Sequence, residues 1–460
     1  MKKKLFYSTR KLTGIYRIIV PACKFHHEKK NIEKTVLFFQ NYKSEILSLK
    51  VLTFILKTIF NTDYLSNKNI LNLKYKGISI GRHTLSMTFR NPRAYSNILL
   101  QKFLILINLI KSYNLIYKSE KICKNISGAF IDHAENVNGV VLQVLLKKKI
   151  RIYQNVFPVG FFSFESDSKK VLSYEKLFQF KKTKKKISKY TKNKSINKLK
   201  NFSLSPKMPY ILGTKYKKLF LKDTNFDYLV YCHSFTDAQL HFGVDGFYNQ
   251  KDWLEYTLKE LNRLKKKVLV KSHPNFYAKG YLAGAAYYDK KIYDTIRLKY
   301  NENKNIVFLN NPIKNFELLK LLDSKRTIVV GHHTTALLEA LAFDFKCISS
   351  KSTFWDSSLK LTNLFSNRSN YLTLLKKNII NLNSHNKNHL AEISFKLFFN
   401  KNGYFGENYI ADFLASKMNI DRLKLTKNPD KAFKNANLHS NKLNKIAEEL
   451  SNFIQEINFS

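Results

Sequence analysis

Strand-like and helix-like patterns alternate along the second half of the chain. Short runs of consecutive apolar and β-branched residues, which are typical of buried strands, occur at 228–231, 268–270, 305–309 and 327–330. Polar residues follow each run, and apolar residues at helical spacing come next, as at 252–264. Four successive units of strand, polar loop and helix predict a parallel, doubly wound α/β sheet with polar residues at the carboxyl ends of its strands.

The segment 327–350 contains the most complete of these units. Its β-branched run ends at Gly331, which allows the backbone to turn sharply. Apolar residues then continue at helical spacing over 337–342, and residues 346–349 have the pattern of the next buried strand. This order predicts a strand, a loop, a helix and a second strand, with the loop at the N-terminus of the helix.

The loop 331–335 combines several features of a phosphate-binding loop. Thr334 or Thr335 can cap the helix, because a hydroxyl at a helix start accepts a hydrogen bond from a free backbone N–H group. His332 and His333 precede them, and a helix N-terminus has a partial positive charge that favours anions. The alternative is an ordinary connecting loop with two exposed histidines.

The first half of the chain contains one clear unit of the same type. Its strands are predicted at 129–131 and 150–153, and its helix at 139–146. Asp132 and His133 follow the first strand, at the end of a parallel sheet where ligands bind. An acid at this position either acts as a general base or caps the following helix.

Two further parts of the first half have less regular patterns. The residues before 60, including 36–39, have apolar side chains at helical spacing and predict a mainly helical region. Within 73–93, Arg82 and His83 belong to a cluster of positive charge. Such a cluster either binds an anionic acceptor or lipid phosphate, or forms a solvated basic edge. Arg82 and His83 are therefore candidate acceptor-side residues.

The composition is that of a globular protein with an extreme positive charge. Hydrophobic residues make up 44% of the chain and charged residues 25%. The chain has 80 Lys and Arg residues but only 33 Asp and Glu residues, which gives a net charge of +47. Such a charge favours nucleic acid or an anionic membrane surface as partner. Lys, Asn, Ile, Phe and Tyr all have codons rich in A and T, and their abundance can account for part of the charge. Because no zinc-finger, helix-turn-helix or aromatic-basic RNA motif is visible, nucleic acid is not expected as the main partner. An anionic membrane surface accounts for the positive charge as well as nucleic acid does.

The length of 460 residues suggests two or three domains. Ten lysines and no acidic residue lie at 181–200, as in a solvated segment between two α/β halves, with lipid head-group binding as the functional alternative. The predicted divisions are an acceptor-side α/β domain at 1–180, a Lys-rich linker or insertion at 181–205, a donor-binding α/β domain at 206–440 and an amphipathic helix at 441–460.

Signals for disulfides, metals and membrane spans are weak. The four cysteines are scattered with no C-x-x-C pair, so we expect buried thiols in a reducing compartment. The apolar runs at 51–60 and 103–110 are much shorter than the roughly 20 residues that span a bilayer. We therefore expect a cytoplasmic protein with no transmembrane helix and no metal requirement.

Three motifs of the second half each follow a predicted strand, namely H-S-F-T-D at 233–237, K-S-H-P at 271–274 and a loop and helix ending in E-A-L-A at 331–342. Together they resemble the capsular and surface polysaccharide biosynthesis transferases, which have K-x-H-P after one strand and a small-residue turn before an E-A-L helix after a later one. The resemblance implies the glycosyltransferase fold called GT-B. In that fold two Rossmann-like domains face each other across a cleft, and the C-terminal domain holds most of the nucleotide donor.

The resemblance also implies roles for single residues. His273 and the loop 331–335 would contact the donor phosphate, and Glu339 would lie near the ribose or base. Lys271 and Ser272 precede His273 and add donors for the same phosphate. The chain departs from the family in its His-His-Thr-Thr sequence, where relatives often have a Gly or Ser pair, so the identity of the donor stays open.

These features predict a glycosyltransferase that moves a sugar from a CMP-, UDP- or GDP-linked donor to a surface or capsular polysaccharide or its lipid-linked precursor. It would work at the inner face of the cell membrane. Imidazole, lysine and hydroxyl donors would stabilise the departing phosphate without a metal. If the reaction inverts, a base must take the proton of the acceptor hydroxyl, and Asp132 and Asp237 are the candidates, with His133 behind them.

Three alternative functions remain open. A CDP-glycerol-type glycerophosphate or polyol-phosphate transferase would use a similar phosphate-binding loop. A nucleotide-sugar epimerase would consume the donor without an acceptor. A basic nucleic-acid-binding protein would show an affinity that falls steeply with salt and does not depend on His273.

Overall fold

The structure of the chain is a computed structural model that divides into two compact units. Unit 1 consists of Met1–Thr88, Leu99–Leu172 and Lys396–Ser460, and unit 2 consists of Phe89–Ile98 and Ser173–Phe395. The structure describes residues 4–9, 34–39, 53, 67–124, 126–132, 136–156, 161–165, 188–204, 216–218, 221, 223–236, 245–278, 283–353, 360–398, 410–420, 436 and 439–459.

Between residues 4 and 165, the chain forms two small sets of strands with helices between them. The strands are β1 (Lys4–Thr9), β2 (Lys34–Phe39), β3 (Lys74–Tyr75), β4 (Ile78–Ser79), β5 (Ile126–Asp132), β6 (Arg151–Val156) and β7 (Phe161–Glu165), and the helices are α1 (Asn67–Leu71), α2 (Gly81–Phe89), α3 (Ile98–Cys123) and α4 (Asn136–Lys147). The main sheet has the order β2-β1-β5-β6-β7, with β6 and β7 antiparallel and the other pairs parallel. The predicted unit at 129–153 is β5, α4 and β6.

The helical prediction for the region before 60 is wrong for residues 4–9 and 34–39. Lys4–Thr9 and Lys34–Phe39 are the strands β1 and β2, paired in parallel along their whole length. A short run of consecutive apolar residues such as 36–39 fits a buried helix or a central strand equally well. Strand pairing decides the outcome, and pairing is a long-range property that local spacing does not contain.

The helix α3 is longer than the apolar runs from which the sequence predicted no transmembrane helix. It is 26 residues long with a mean hydropathy of 1.3 over its most apolar window, and within the described residues it is the one helix long and apolar enough to cross a bilayer. The predicted run at 103–110 is only its middle. Asn108 Nδ2 donates to Thr88 Oγ1 at 3.1 Å and Ser112 is fully buried, so one face of the helix packs against protein, while Leu99 and Phe103 are exposed.

Between residues 188 and 459, strands and helices alternate almost strictly. The strands are β8 (Tyr228–Tyr231), β9 (Val268–Lys271), β10 (Ile306–Leu309), β11 (Ile328–Gly331), β12 (Lys346–Ser350) and β13 (Asn363–Phe365), and the helices are α5 (Lys189–Lys200), α6 (Gln250–Arg263), α7 (Ala283–Leu298), α8 (Asn315–Leu321), α9 (Ala336–Ala342), α10 (Arg368–Lys376), α11 (Lys387–Phe398), α12 (Ile410–Met418) and α13 (Ser440–Phe459). Single 3-10 turns lie at Pro92–Tyr95, Phe202–Leu204, Pro274–Tyr277 and Ile379–Asn381.

Unit 2 contains a six-stranded, fully parallel sheet in the order β10-β9-β8-β11-β12-β13. Every residue of β8, β9 and β11 is buried, because helices cover both faces of such a sheet. Trp253 and Leu258 of α6 are fully buried in the same core as Tyr371 of α10. The predicted α/β class and parallel sheet are confirmed, whereas the cleft between two facing domains stays a prediction.

The Lys-rich segment is partly helical. Ser188 caps α5 by accepting a hydrogen bond from Thr191 N at 3.2 Å, and Ser195 and Leu199 are buried on the side that packs against α9. One apolar face is sufficient to attach a helix whose other positions are charged. Residues 189–200 therefore belong to the body of unit 2, where the sequence predicted a linker or insertion.

The C-terminal segment has a different position from the one predicted. The predicted donor domain extended to 440, but the residues from Lys396 onward belong to unit 1. Phe413 of α12 stacks on Phe453 of α13 with ring centres 4.7 Å apart. The amphipathic helix predicted at 441–460 is α13, and it packs against α12.

Candidate functional site

The strand order of unit 2 creates a ligand-binding edge. Numbered from β8 to β13, the strands lie in the order 3-2-1-4-5-6, and ligands bind at the carboxyl ends of such strands, where the order reverses between β8 and β11. Leu309, Lys271, Tyr231, Gly331 and Ser349 are aligned in register across the sheet. The loops that follow β8, β9 and β11 therefore begin side by side.

His273 lies at the exit of β9 as a neutral hydrogen-bond donor. Its Nδ1 accepts a hydrogen bond from Asn275 N at 3.2 Å and so caps the turn Pro274–Tyr277. Burial, with smaller contributions from His233 and Lys271, holds the pKa of His273 well below its ordinary value of 6.5. Because Nδ1 is an acceptor and the ring is neutral, the ring proton is on Nε2.

His233 lies at the exit of β8, beside His273. The two ring centres are 5.6 Å apart with the planes tilted by 34°. His233 Nδ1 is 3.1 Å from Ser234 O, and because a carbonyl oxygen only accepts, Nδ1 carries the proton of this bond. Both rings are half-buried, so a ligand at this edge can reach them.

Lys271 and Glu339 are two buried ionisable groups whose charges affect each other. Burial lowers the pKa of Lys271 to about 8, against the opposing effect of Glu339. Burial raises the pKa of Glu339 to about 7, although hydrogen bonds from Asn315 and Ser203 and the charge of Lys271 favour the carboxylate. Asn315 Nδ2 donates to Glu339 Oε1 at 2.8 Å. Lys271 is therefore largely a cation at neutral pH, while Glu339 is near its midpoint.

The turn between β11 and α9 requires a glycine and is capped by a threonine. A Cβ atom on Gly331 would lie 2.5 Å from Thr334 Cγ2 and 3.2 Å from Leu337 Cδ1, so a larger residue would clash. Thr334 Oγ1 accepts from Ala336 N at 3.2 Å, and Thr335 makes no capping bond with its side chain. Of the two predicted caps, Thr334 is the one used.

The adjacent histidines of this loop point into the protein. His332 is buried among the rings of Phe247, Trp253 and Phe365, at centre distances of 6.1, 5.7 and 5.8 Å, and Gln250 Nε2 donates to its Nδ1 at 3.0 Å. His333 is also buried, with a positive φ of 58°. The alternative of two exposed histidines is therefore wrong, and their contact with phosphate stays a prediction.

Asp245 joins the neighbouring loops at the same edge. It accepts hydrogen bonds from the hydroxyls of Ser350 and Ser352 and from Ser352 N, the last at 2.9 Å. Ser352 Oγ is in turn 3.4 Å from His333 Nε2. The carboxylate thus connects the segment before α6 with the exits of β11 and β12.

Asp289 of α7 holds the loop after β8. Its carboxylate accepts from Phe235 N at 3.1 Å, from Thr236 N at 2.9 Å and from the hydroxyl of Ser234. Asp289 is almost completely buried. One side chain therefore determines the path of the three residues that follow His233.

The two candidate acceptor-side residues lie in unit 1, on α2. His83 is buried, and Gln143 Nε2 donates both to His83 Nε2 at 2.7 Å and to Ser79 O at 3.1 Å. Burial lowers the pKa of Arg82. Both residues are thus packed against the protein instead of forming a solvated basic edge, and an acceptor-binding role stays a prediction.

The candidate bases are not brought together within the described residues. Asp132 is the last residue of β5 and is paired in register with Asn155 of β6. This agrees with the predicted position at the end of a strand. His133 and Asp237 lie outside the described residues. Their catalytic roles stay predictions.

Sequence reasoning missed several residues that define this edge, namely His233, Asp245, Gln250, Asp289 and Asn315. His233 had a signal, because it directly follows a predicted strand within the H-S-F-T-D motif. Asp289 had none, because it lies on a helix some distance along the chain and meets the loop only after folding.

Over the described part of the chain, no three His, Cys, Asp or Glu side chains are grouped so as to hold a metal ion.

No protein-family model and no curated protein matches the chain. The solved structures that it resembles include a KpsC β-Kdo 2,4-transferase from Thermosulfurimonas dismutans, with a TM-score of 0.35 and 11% identity over 58% of this chain and 79% of that one. Another is a UDP-GlcNAc 2-epimerase from Methanocaldococcus jannaschii, with a TM-score of 0.28 and 15% identity over 85% of this chain and 98% of that one. Likenesses at these scores carry no argument about activity.

Proposed function

We propose that the chain is a glycosyltransferase that binds a nucleotide-sugar at the carboxyl edge of the unit 2 sheet. It transfers the sugar to a surface or capsular polysaccharide or to its lipid-linked precursor. Its place of action is the cytoplasmic face of a membrane, where anionic lipid attracts a chain with a net charge of +47.

One observation carries this proposal. Lys271, His273 and the loop 331–335 start side by side on strands β9 and β11, which flank β8 at the point where the strand order reverses. Nucleotides bind at this point in sheets of the same order. The three motifs that resemble the polysaccharide transferases thus meet at one edge of one sheet.

The chemistry of the edge suits a departing nucleotide phosphate. Breaking the bond between the sugar and the phosphate develops negative charge on a phosphate oxygen, and fixed donors lower the energy of that state. His273 offers its Nε2 proton and Lys271 offers an ammonium group, and both are held by the surrounding protein before any ligand binds. In its carboxylate form, Glu339 would accept hydrogen bonds from the hydroxyls of a ribose.

The test is a thermal-shift and calorimetric screen of the purified protein with CMP, CDP, UDP, GDP and their sugars. One nucleotide is expected to stabilise the protein, and His273→Ala is expected to weaken its binding about tenfold, because a hydrogen bond to a charged group is lost. His439→Ala, at an exposed histidine, is the control and should bind like the wild type.

Two results would refute the proposal. One is a protein that binds no nucleotide but binds RNA or DNA with a steep dependence on salt. The other is nucleotide binding that is equal in the wild type and in His273→Ala. A turnover product in which glycerol phosphate or a polyol phosphate appears on the acceptor would instead identify the phosphate-transferring alternative.

A further inference from the structure

The histidines at the exits of β8 and β9 have opposite hydrogen-bonding directions. His273 uses Nδ1 to accept from Asn275 N, so its Nε2 carries the proton. His233 uses Nδ1–H to donate to Ser234 O, so the Nε2 of its neutral ring carries a lone pair. The pair therefore presents one donor and one acceptor at the same edge of the sheet.

The two rings are held near each other by the packing of their loops. Phe235, two residues after His233, stacks on Phe276 of the turn capped by His273, with ring centres 5.6 Å apart and planes at 17°. Tyr95 Oη donates to Phe235 O at 2.5 Å, and the carboxylate of Asp289 accepts from Phe235 N. A rotation of either loop would break these contacts, so the spacing of the histidines is built into the fold.

We propose that His233 and His273 together bind the phosphate of the donor, and that His233 takes up one proton from solvent when the phosphate binds. This inference rests on the proposed function, because it takes the bound anion to be the phosphate of a nucleotide-sugar. The only bond formed is N–H at His233 Nε2, and the proton comes from water or buffer.

The reason lies in the chemistry of a phosphate oxygen. Such an oxygen has lone pairs only, so it is attracted to His273 Nε2–H but repelled by the lone pair of His233 Nε2. A proton at that nitrogen turns the repulsion into a charge-assisted hydrogen bond. The ring keeps its bond to Ser234 O throughout, because Nδ1 carries a proton in both states.

Ionisable groups on the elements packed against His233 set the electrostatic surroundings of its ring. On the neighbouring strand exit, Lys271 is cationic and His273 is neutral at pH 7, and on α7 the carboxylate of Asp289 already accepts three hydrogen bonds. Cys232, on the strand side, is a buried neutral thiol. A bound phosphate adds negative charge at this edge, and a nearby opposite charge favours the cationic form of an imidazole.

The inference predicts a proton-linked affinity. Titration calorimetry with inorganic sulfate, in buffers of contrasting ionisation enthalpy, measures the protons taken up by the protein, because sulfate has no titratable proton near neutral pH. Near pH 7, where Lys271 is still largely a cation, the wild type should take up more protons per anion than His233→Gln, and its affinity should fall more steeply as pH rises. Uptake near zero in the wild type would overturn the inference.

Two variants test the assignment to His233. In His233→Gln the amide nitrogen replaces Nε2 as a donor that does not titrate, so near pH 7 sulfate should bind with much less proton uptake than in the wild type. In His233→Asn the amide reaches only the Nδ1 position, so affinity should fall about tenfold or more. Thermal unfolding of each variant establishes that it is folded.

The control is His439→Gln, at an exposed histidine, and it should take up protons like the wild type. Uptake in His233→Gln equal to that of the wild type would assign the proton to another group and overturn the inference. This failure is distinct from failure of the proposed function. A protein that binds a nucleotide through His273 with no proton uptake keeps the function and loses the inference, whereas a protein that binds no nucleotide loses the function.

Discussion

At the scale of single residues, the most unusual feature is a buried acid and a buried base whose charges affect each other. Lys271 and Glu339 are each 4% exposed, and burial moves their pKa values toward each other, to about 8 and about 7. Groups with such values exchange protons near neutral pH, which is common where a site must accommodate a charged ligand. The stability of the protein should therefore depend on pH through these residues.

The wild type should lose stability as pH rises, and the Glu339→Gln variant should not show this loss. The pKa of Glu339 is raised in the folded state from 4.5 to about 7, so its contribution is full below pH 4.5 and is lost as pH rises through 7. The loss is about 3 kcal/mol in the free energy of unfolding. Urea unfolding of both proteins from pH 4.5 to 7 measures it, and Glu302→Gln, at an exposed position, is the control. Parallel pH profiles for the wild type and Glu339→Gln would contradict the assignment.

The sequence predicted where single residues lie relative to the strands, but not which distant residues they contact. Lys271, His273 and Gly331 follow predicted strands, and the structure has all three at strand exits. The interior position of His332 depends on rings from Phe247 and Phe365, which are far from it in sequence. Spacing along a chain contains no record of such contacts, so sequence reasoning left the loop with exposed histidines as an alternative.

At the scale of elements, α7 is the support of the candidate site. Through Asp289 it holds the loop after β8, and it packs on the turn Pro274–Tyr277 that His273 caps. The two loops that carry His233 and His273 thus share one helix as their base. Small changes in α7 should reach both loops.

Asp289→Ala should destabilise the protein by about 2–4 kcal/mol, because Phe235 N and Thr236 N lose their acceptor inside the protein. Asp289→Asn should cost less, because the amide oxygen still accepts. Asp294→Ala on the same helix is a matched control, since it removes only partly exposed ion pairs with Lys290 and Arg297, each worth at most about 1 kcal/mol. Urea unfolding measures all three, and equal costs for the two alanine variants would contradict the role given to Asp289.

Elements of unit 2 were predictable because their sequence signals are local and consistent. The apolar runs at 228–231 and 327–330 are each followed by a polar loop and a segment with helical spacing, an order that favours buried strands, and the structure has strands there. The run 36–39 gave the wrong element, because only pairing with β1 distinguishes it from a helix. The helix at 189–200 was missed because its lysines hide a narrow apolar face.

At the scale of the whole molecule, the chain leaves unit 1 and later returns to it. The residues from Lys396 onward belong with the N-terminal segments, so a division at 440 would separate α12 from α13, which pack together. Such a return is invisible in a linear pattern, because an amphipathic helix shows that it has a buried face but not what covers it. The net charge of +47 is also a property of the whole molecule. It favours an anionic membrane surface as partner, and that partner stays a prediction.

The most direct test of the central claim is to follow both products of a single reaction. The purified protein is incubated with the nucleotide-sugar selected by the binding screen and with a polysaccharide acceptor, and mass spectrometry records the released nucleotide and the mass added to the acceptor. One sugar residue should be added per nucleotide released, and both products should decrease together in His273→Ala. Donor converted to an epimer with no mass added, or no donor consumed while His273→Ala behaves like the wild type, would contradict it.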